Sequence, residues 1–384
     1  MQRYWVWLSL AKGLSLREKV ALLERYSDAE AIYCQSVLPD GKELNKDLTE
    51  ANRVIRDCDR KGIRIIPFCD SLYPARLRRI ANPPMVLYCR GEMPDIEKYP
   101  AIGVVGTRRA TSYGLEMTEN ISMQIAQGGG IIVSGGAAGV DTYALWSGLK
   151  SGKPVIAVLG CGVDVAYPTT NRRLFMEIEQ NGCILSEYIP GAAPTNWSFP
   201  ARNRIISGIS NGILVSEAPK KSGALITARD AAAQGRDIFV IPGNINVEAC
   251  AGSNQLLKDG AYPAFTGWDV LSMYAAQYPN VITDPEKIKV KKANPTTKKT
   301  AVPPKKDIDN PTDKPYIDVV AQKIVLTEQE TQLLNAVTTR PEPVDAVIGR
   351  LHMPPATALR LLTNLTLQGL IVNHPGKLIS RKMR

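Results

Sequence analysis

Short apolar runs alternate with helix-compatible stretches through the middle of the chain. The runs are Ile102–Val105, Ile131–Ser134, Val155–Leu159, Cys183–Ser186, Ile213–Ser216 and Ile238–Ile241, and each is followed by a turn and a segment of helical spacing. Strands that are apolar throughout, rather than at every second position, are buried on both faces, which predicts a parallel sheet with helices on each side. These strands end at Gly106, Gly135, Gly160, Glu187, Glu217 and Pro242. In an open α/β sheet the ligand sits in the crevice outside the carboxyl ends of the strands. The chemistry is therefore expected at that edge.

The flanks read differently. Ser15 stands at an N-cap position, and Val20, Leu22, Leu23 and Tyr26 follow at roughly helical spacing, so residues 15–33 predict a helix and residues 1–62 a small helical domain. Residues 63–91 turn to short apolar runs and proline turns with strand character, and the central domain is placed at 63–275. Residues 276–315 are rich in Lys, Pro, Thr and Asp, with too little apolar content to pack, and read as a linker. Order returns with a capping box, Thr327 to Glu330, whose helix carries Leu333, Leu334 and Val337 on one face. A second helix over Val344–Leu351 and a third from about Pro355 to Gly369 follow, the third carrying Ala358, Leu361, Leu362 and Leu365. Strands Leu370–Asn373 and Lys377–Ser380 flank a Pro375-Gly376 turn. Three helices and a hairpin predict a winged helix over 316–384. The fold class is α/β: a Rossmann-like parallel sheet with a helical N-terminal domain and a C-terminal winged helix.

Composition narrows the function. Lys and Arg outnumber Asp and Glu by 47 to 37 in 384 residues, a net charge of +10, which favours an anionic partner. The seven cysteines are odd in number and form no C-x-x-C, so neither a disulfide framework nor a metal site is expected, and a cytoplasmic location is. The apolar run Tyr4–Leu8 is broken at Lys12 and does not read as a signal peptide, and no segment approaches a membrane span. The only histidines, His352 and His374, are remote from the central turns, which removes histidine acid/base chemistry from them.

Four turns carry the candidate chemistry, three of them basic. In Gly106-Thr107-Arg108-Arg109 a strand ends in glycine and two arginines precede a helix, so backbone and helix N-terminus are open to a phosphate. An ordinary turn with two solvated arginines is the plain alternative. The turn with Gly135, Gly136 and Gly139 repeats the arrangement, although its glycines also suit close helix–strand packing, and Asp141 reads as a helix N-terminal charge. In Pro200-Ala201-Arg202-Asn203-Arg204 the proline suits the first turn of a helix and sets Arg202 and Arg204 at its positive end. Either a bound anion or pairing with Glu187 or Glu217 resolves that conflict. Lys221-Ser222-Gly223 starts another helix, with Ser222 as its cap. Arg172 and Arg173 either extend the basic surface or form a solvated helix face. Neither a G-x-x-x-x-G-K-[ST] loop nor a G-x-G-x-x-G turn after the first strand is present, so no nucleotide cofactor is expected. Three basic turns along one sheet edge suit a phosphate chain, bound without sequence preference.

Taken together, GVVGTRRAT, SGGAAGVDTYAL, AVLGCGVDVAYPTTNRRL, FPARNRIISG, SEAPKKSGALITARDAAAQGRDIFVIPG and GSNQLLKDGA closely resemble the DNA-processing protein A family, called DprA or Smf, in order and spacing over about residues 63–265. The resemblance implies an extended Rossmann fold that binds single-stranded DNA, forms homodimers, protects incoming DNA and loads the recombinase RecA onto it during natural transformation. It also implies that residues 1–62 are a sterile-alpha-motif-like domain, and that Arg108, Arg109, Arg202, Arg204 and Lys221 belong to a basic DNA pocket. Two rival readings exist. A phosphoribohydrolase of the same superfamily would use Glu187 or Glu217, but its PGGxGTxxE signature is SGGAAGVDTYA here and lacks the glutamate. A winged helix reading duplex DNA would rely on Arg360 and Asn364, a poor set for the major groove.

Overall fold

The computed structural model describes residues 1–284 except 36 and 39, and in the C-terminal part residues 328–339, 342–351, 353, 357–358, 361–362, 365, 370–374 and 378–381. The chain divides into two compact units, Met1–Asn294 and Pro295–Arg384.

The first unit opens with helices α1 (Gln2–Leu10), α2 (Leu16–Tyr26), α3 (Ala29–Cys34) and α4 (Thr49–Lys61). The single helix expected over 15–33 is two. Ser27 adopts the left-handed conformation at φ 65°, and Asp28 restarts the chain by accepting from the Ala29 amide at 2.7 Å. The run Tyr4–Leu8 is the body of α1 and is buried on every side.

A nine-stranded sheet follows. Its elements in chain order are β1 (Arg64–Pro67), α5 (Ala75–Arg78), β2 (Val86–Gly91), β3 (Ala101–Val105), α6 (Ser112–Gln127), β4 (Ile131–Ser134), α7 (Val140–Lys150), β5 (Val155–Val158), α8 (Arg172–Gln180), β6 (Gly182–Ser186), α9 (Ser198–Ile209), β7 (Gly212–Val215), α10 (Gly223–Ala233), β8 (Asp237–Val240), α11 (Ala251–Lys258), β9 (Tyr262–Pro263) and α12 (Gly267–Leu271). The spatial order is β1-β2-β6-β5-β4-β3-β7-β8-β9, parallel from β6 to β9, with β2 antiparallel to both neighbours. All six strands expected from the apolar runs are present within a residue at each end.

Both faces are dry. Ile102 and Val104 of β3 enter one core while Ala101 and Val105 enter the other, and β4 to β8 divide likewise. The first core also contains Trp5, Val6 and Leu8, so the N-terminal helices share it with the sheet instead of building a separate one. At the other end of the unit, the buried Tyr278 hydroxyl bonds Arg76 Nη1 at 3.0 Å and Asn211 Nδ2 at 3.1 Å, and the Thr283 amide donates to the Gly128 carbonyl. Packed structure therefore continues beyond residue 275.

The connection from β3 leads to β4 on one side, whereas β7 lies on the other. The sheet thus reverses its winding between β3 and β7, and their carboxyl ends diverge into a crevice.

The second unit contains α13 (Glu328–Ala336), β10 (Glu342–Pro343), α14 (Val344–Gly349), β11 (Ile371–His374) and β12 (Leu378–Arg381). Its three-stranded antiparallel sheet has the order β10-β12-β11, with Ile371 opposite Arg381. Leu333, Leu334, Val337, Leu361, Leu362 and Leu365 share its core. The expected hairpin is there; the short β10 was not foreseen, because two residues ending in proline carry no strand signal. Thr327, Arg360, Asn364 and the Pro375-Gly376 turn lie outside the described residues.

Candidate nucleic-acid interface

The crevice between β3 and β7 is a cleft of about 470 Å³, bordered by Gly106–Arg109, by Pro219 to Ala224 and by the start of α9. It lies where the sheet topology predicts.

The turn after β3 holds its arginines outward. Glu217, at the end of β7, is buried and clamps this turn from below. Its carboxylate accepts from the Thr111 amide at 2.7 Å and the Thr111 hydroxyl at 2.6 Å, and its carbonyl accepts from the Thr107 amide at 2.7 Å. Thr111 in turn caps α6 by accepting from the Gly114 amide. Arg108 and Arg109 are left exposed, and Arg108 lies 5.4 Å from the centroid of the Phe199 ring. Gly106 is required by packing as well as by any ligand, since a Cβ there would meet Val140 of α7 at 2.5 Å.

Across the cleft, Ser222 caps α10 by accepting from the Ala224 amide at 3.3 Å, as expected. Lys221 and Gly223 beside it are exposed, and Asn203 reaches from α9 to donate to the Gly223 carbonyl at 3.2 Å. Among the described residues no carboxylate pairs with Arg108, Arg109 or Lys221.

The arginines of α9 are not free in this way. The helix begins at Ser198, two residues earlier than Pro200 suggests, so Arg202 lies in its second turn. Arg202 is 5% exposed, and its Nη1 donates to the Gly135 carbonyl at 2.7 Å and to the Val158 carbonyl. Burial pushes its pKa below the ordinary arginine value, and Asp141 opposes that fall. Asp141 is buried as well, and burial raises its carboxyl while Arg202 pulls it back. Arg204 points elsewhere, into a second cleft, and forms a two-pronged pair with Glu187 at 2.6 Å on each arm. Burial works against the Arg204 charge, but the Glu187 carboxylate outweighs it and the pKa is raised. The conflict of cations near a helix start is thus resolved inside the protein, by the Glu187 carboxylate for Arg204, where the pairing alternative holds, and by backbone carbonyls for Arg202.

The second glycine-rich turn is closed as well. Asp141 accepts from the Gly135 amide at 3.1 Å and the Ala137 amide at 3.3 Å, the donors that a phosphate at α7 would need. Gly135 and Gly136 are buried, and a Cβ at Gly135 would run into the Arg202 guanidinium. Gly139 has φ 80°, and a Cβ on it would stand 2.6 Å from the Thr107 carbonyl oxygen. This turn therefore backs and supports the first one. Arg172, exposed at the start of α8, borders a different groove, with Phe175 and Glu179.

Aromatic side chains escaped the sequence reading. Tyr167 and Phe199 border the cleft and stack with centroids 5.4 Å apart, while Trp197, 67% exposed, meets Tyr188 edge-on at 5.9 Å. The signal was there, since Tyr167-Pro168 and Phe199-Pro200 each put an aromatic beside a basic segment, but the prolines read as turn punctuation. Exposed rings beside unpaired cations are what an unstacked nucleic-acid base requires.

The comparisons with known proteins meet this geometry. The family model DNA recombination-mediator protein A matches residues 64–275, and the DprA winged helix domain matches residues 320–377. The chain belongs to the DprA family. Protein Smf of Synechocystis is 39% identical over 275 residues, which are 68% of this chain and 69% of that protein. The DNA processing protein DprA of Streptococcus pneumoniae is 41% identical over 205 residues, 53% of this chain and 72% of that protein. Its crystal structure superposes with a TM-score of 0.61 at 34% identity, covering 71% of this chain and 98% of that one. DNA processing protein A of Helicobacter pylori, described for its single-stranded DNA binding mode, gives a TM-score of 0.50 at 34% identity over 53% of this chain and 94% of that one. The DprA match covers the sheet that carries the cleft and, separately, the C-terminal winged helix.

Proposed function

We propose that the cleft between β3 and β7 binds single-stranded DNA without sequence preference. The observation that carries this reading is the set of unpaired, exposed cations on its two rims, Arg108 and Arg109 on one and Lys221 on the other, beside the exposed rings of Tyr167 and Trp197. The cations meet phosphates and the rings stack bases. Ser222, Gly223 and Gly106 shape the rims. Gly135, Gly136, Arg202 and Asn203 hold the floor, and Arg172 and Arg204 stand outside the cleft. The single-stranded DNA described for the Helicobacter pylori relative supports the assignment.

In this reading the protein is a binding protein and not an enzyme. The two carboxylates a hydrolase would use are occupied, Glu187 by Arg204 and Glu217 by Thr111. Release of free base from nucleoside monophosphates would overturn it. Membership of the DprA family supports the wider role: a cytoplasmic homodimer that shields incoming single strands and hands them to RecA during transformation.

The test is a titration of single- against double-stranded oligonucleotides at two salt concentrations. Single strands should bind more tightly, and Arg108→Ala or Lys221→Ala should each weaken binding and reduce the log–log salt slope by about 0.7, the share of one phosphate. Unchanged affinity in both variants sinks the assignment.

A further inference from the structure

A second cleft, of about 450 Å³, opens on the far side of Pro200, a residue that borders both clefts. Arg76, Arg79, Arg204 and Arg236 line it against a single acid, Asp230. Arg204 is already spent on Glu187. Arg76 donates to neutral acceptors: Asn211 Oδ1 at 2.5 Å, the Tyr278 hydroxyl at 3.0 Å and the Ile96 carbonyl. Arg236 reaches only the carbonyls of Arg76 and Gly208, at 3.3 and 3.2 Å. Among the described residues no carboxylate pairs with Arg76, Arg79 or Arg236. Two buried donors of its lining residues, Arg76 Nε and Arg236 Nε, have no hydrogen-bond partner among the described residues. Buried donors are ordinarily satisfied and clustered cations ordinarily neutralised, so the lining of this cleft suits an anion.

We infer that the second cleft takes a phosphate group of the same DNA strand, which passes from the first cleft over Pro200. The inference rests on the assignment of the first cleft. Continuity argues for a strand: α9 is the wall between the clefts, with Phe199 and Arg202 on one side and Ala201 and Arg204 on the other. A strand held at Arg108 and Lys221 that crosses the start of α9 enters a cleft running along that helix from Ala201 toward Arg236, which bonds the Gly208 carbonyl, and Arg79 on its lining is exposed.

Arg79 holds no ion pair among the described residues, so Arg79→Glu in the full chain tests the inference with little risk to the fold. The probes are oligothymidylates of about six and about twenty nucleotides, bracketing ordinary single-strand site sizes. The variant should bind the long probe roughly fivefold or more weakly at about 0.1 M salt, with a salt slope smaller by about 0.7, and should bind the short probe as before. Equal loss on both probes, or loss on neither, overturns the inference. Arg108→Ala should weaken both lengths; if it weakens neither, the first cleft is wrongly assigned whatever Arg79 does. Inorganic phosphate separates the remaining source. If it raises the melting temperature of the parent protein but not of Arg79→Glu, and the oligonucleotides do not distinguish the two, the cleft is a free-phosphate site and the strand path is overturned.

Discussion

Two glycine-rich turns leave neighbouring strands of one sheet, and each feeds a helix. After β3, Gly106–Thr111 sends Arg108 and Arg109 into solvent and keeps its supporting carboxylate, Glu217, underneath. After β4, Gly135–Gly139 folds onto itself, its amides taken by Asp141 and the Asp141 charge balanced by Arg202. A strand, a glycine and a helix start create an anion site at a sheet edge, but they do not say whose anion fills it. A carboxylate at the second position of the helix closes the site and makes the turn a buttress for its neighbour.

The largest effect should come from opening the closed turn. Arg202→Met removes the buried cation whose field steadies the Asp141 carboxylate, along with its bonds to the Gly135 and Val158 carbonyls, and leaving a buried charge uncompensated costs about 3–5 kcal/mol. Denaturant unfolding reads that loss, and adding Asp141→Asn should restore much of it. A cost below about 1 kcal/mol would mean that Arg202 does not hold the turn closed.

The open turn is sharpened by separating its stacking from its charge. Phe199→Ala should weaken single-strand binding by about 1–3 kcal/mol with the salt slope unchanged, since a ring releases no counterions. A slope that fell as it does for Arg108→Ala would show that Phe199 works only by holding that guanidinium.

The most gradual effect, spread over more than two pH units, concerns a buried cation. Lys19 is 4% exposed and donates to the Ser9 carbonyl at 2.9 Å; burial pulls its pKa from 10.5 down to about 8, and only Glu187 resists. Between those values the unfolded chain holds more protons than the folded one, so stability should rise with pH from about 8 to 10.5, while below 8 the full cost is present. The rise should not exceed about 1.4 kcal/mol per pH unit. Lys19→Met should flatten it and stabilise the protein at pH 7. An identical rise in the variant would assign it to other groups.

Local signals were readable where one element decides the outcome. Ser222 caps α10 as its sequence context predicts, and the strands are apolar throughout because both sheet faces are dry. The break at Ser27 was not readable, since a left-handed serine has no composition signature. Nor was the packing of α1 into the core of the sheet, because its continuous apolar run Tyr4–Leu8 carries no amphipathic stripe to mark it.

The sequence by itself determined the parallel sheet, the edge at which a ligand meets it, the basic character of three turns along that edge and, through its motifs, the resemblance to the DprA family. Periodicity and capping act over a few residues, so they survive in the text. Only the tertiary structure decided which cations are free. Arg202 is buried on the Gly135 and Val158 carbonyls, 67 and 44 positions away in the chain, and Arg204 meets Glu187 across 17, and whether a cation is free depends on such encounters and not on the turn that carries it.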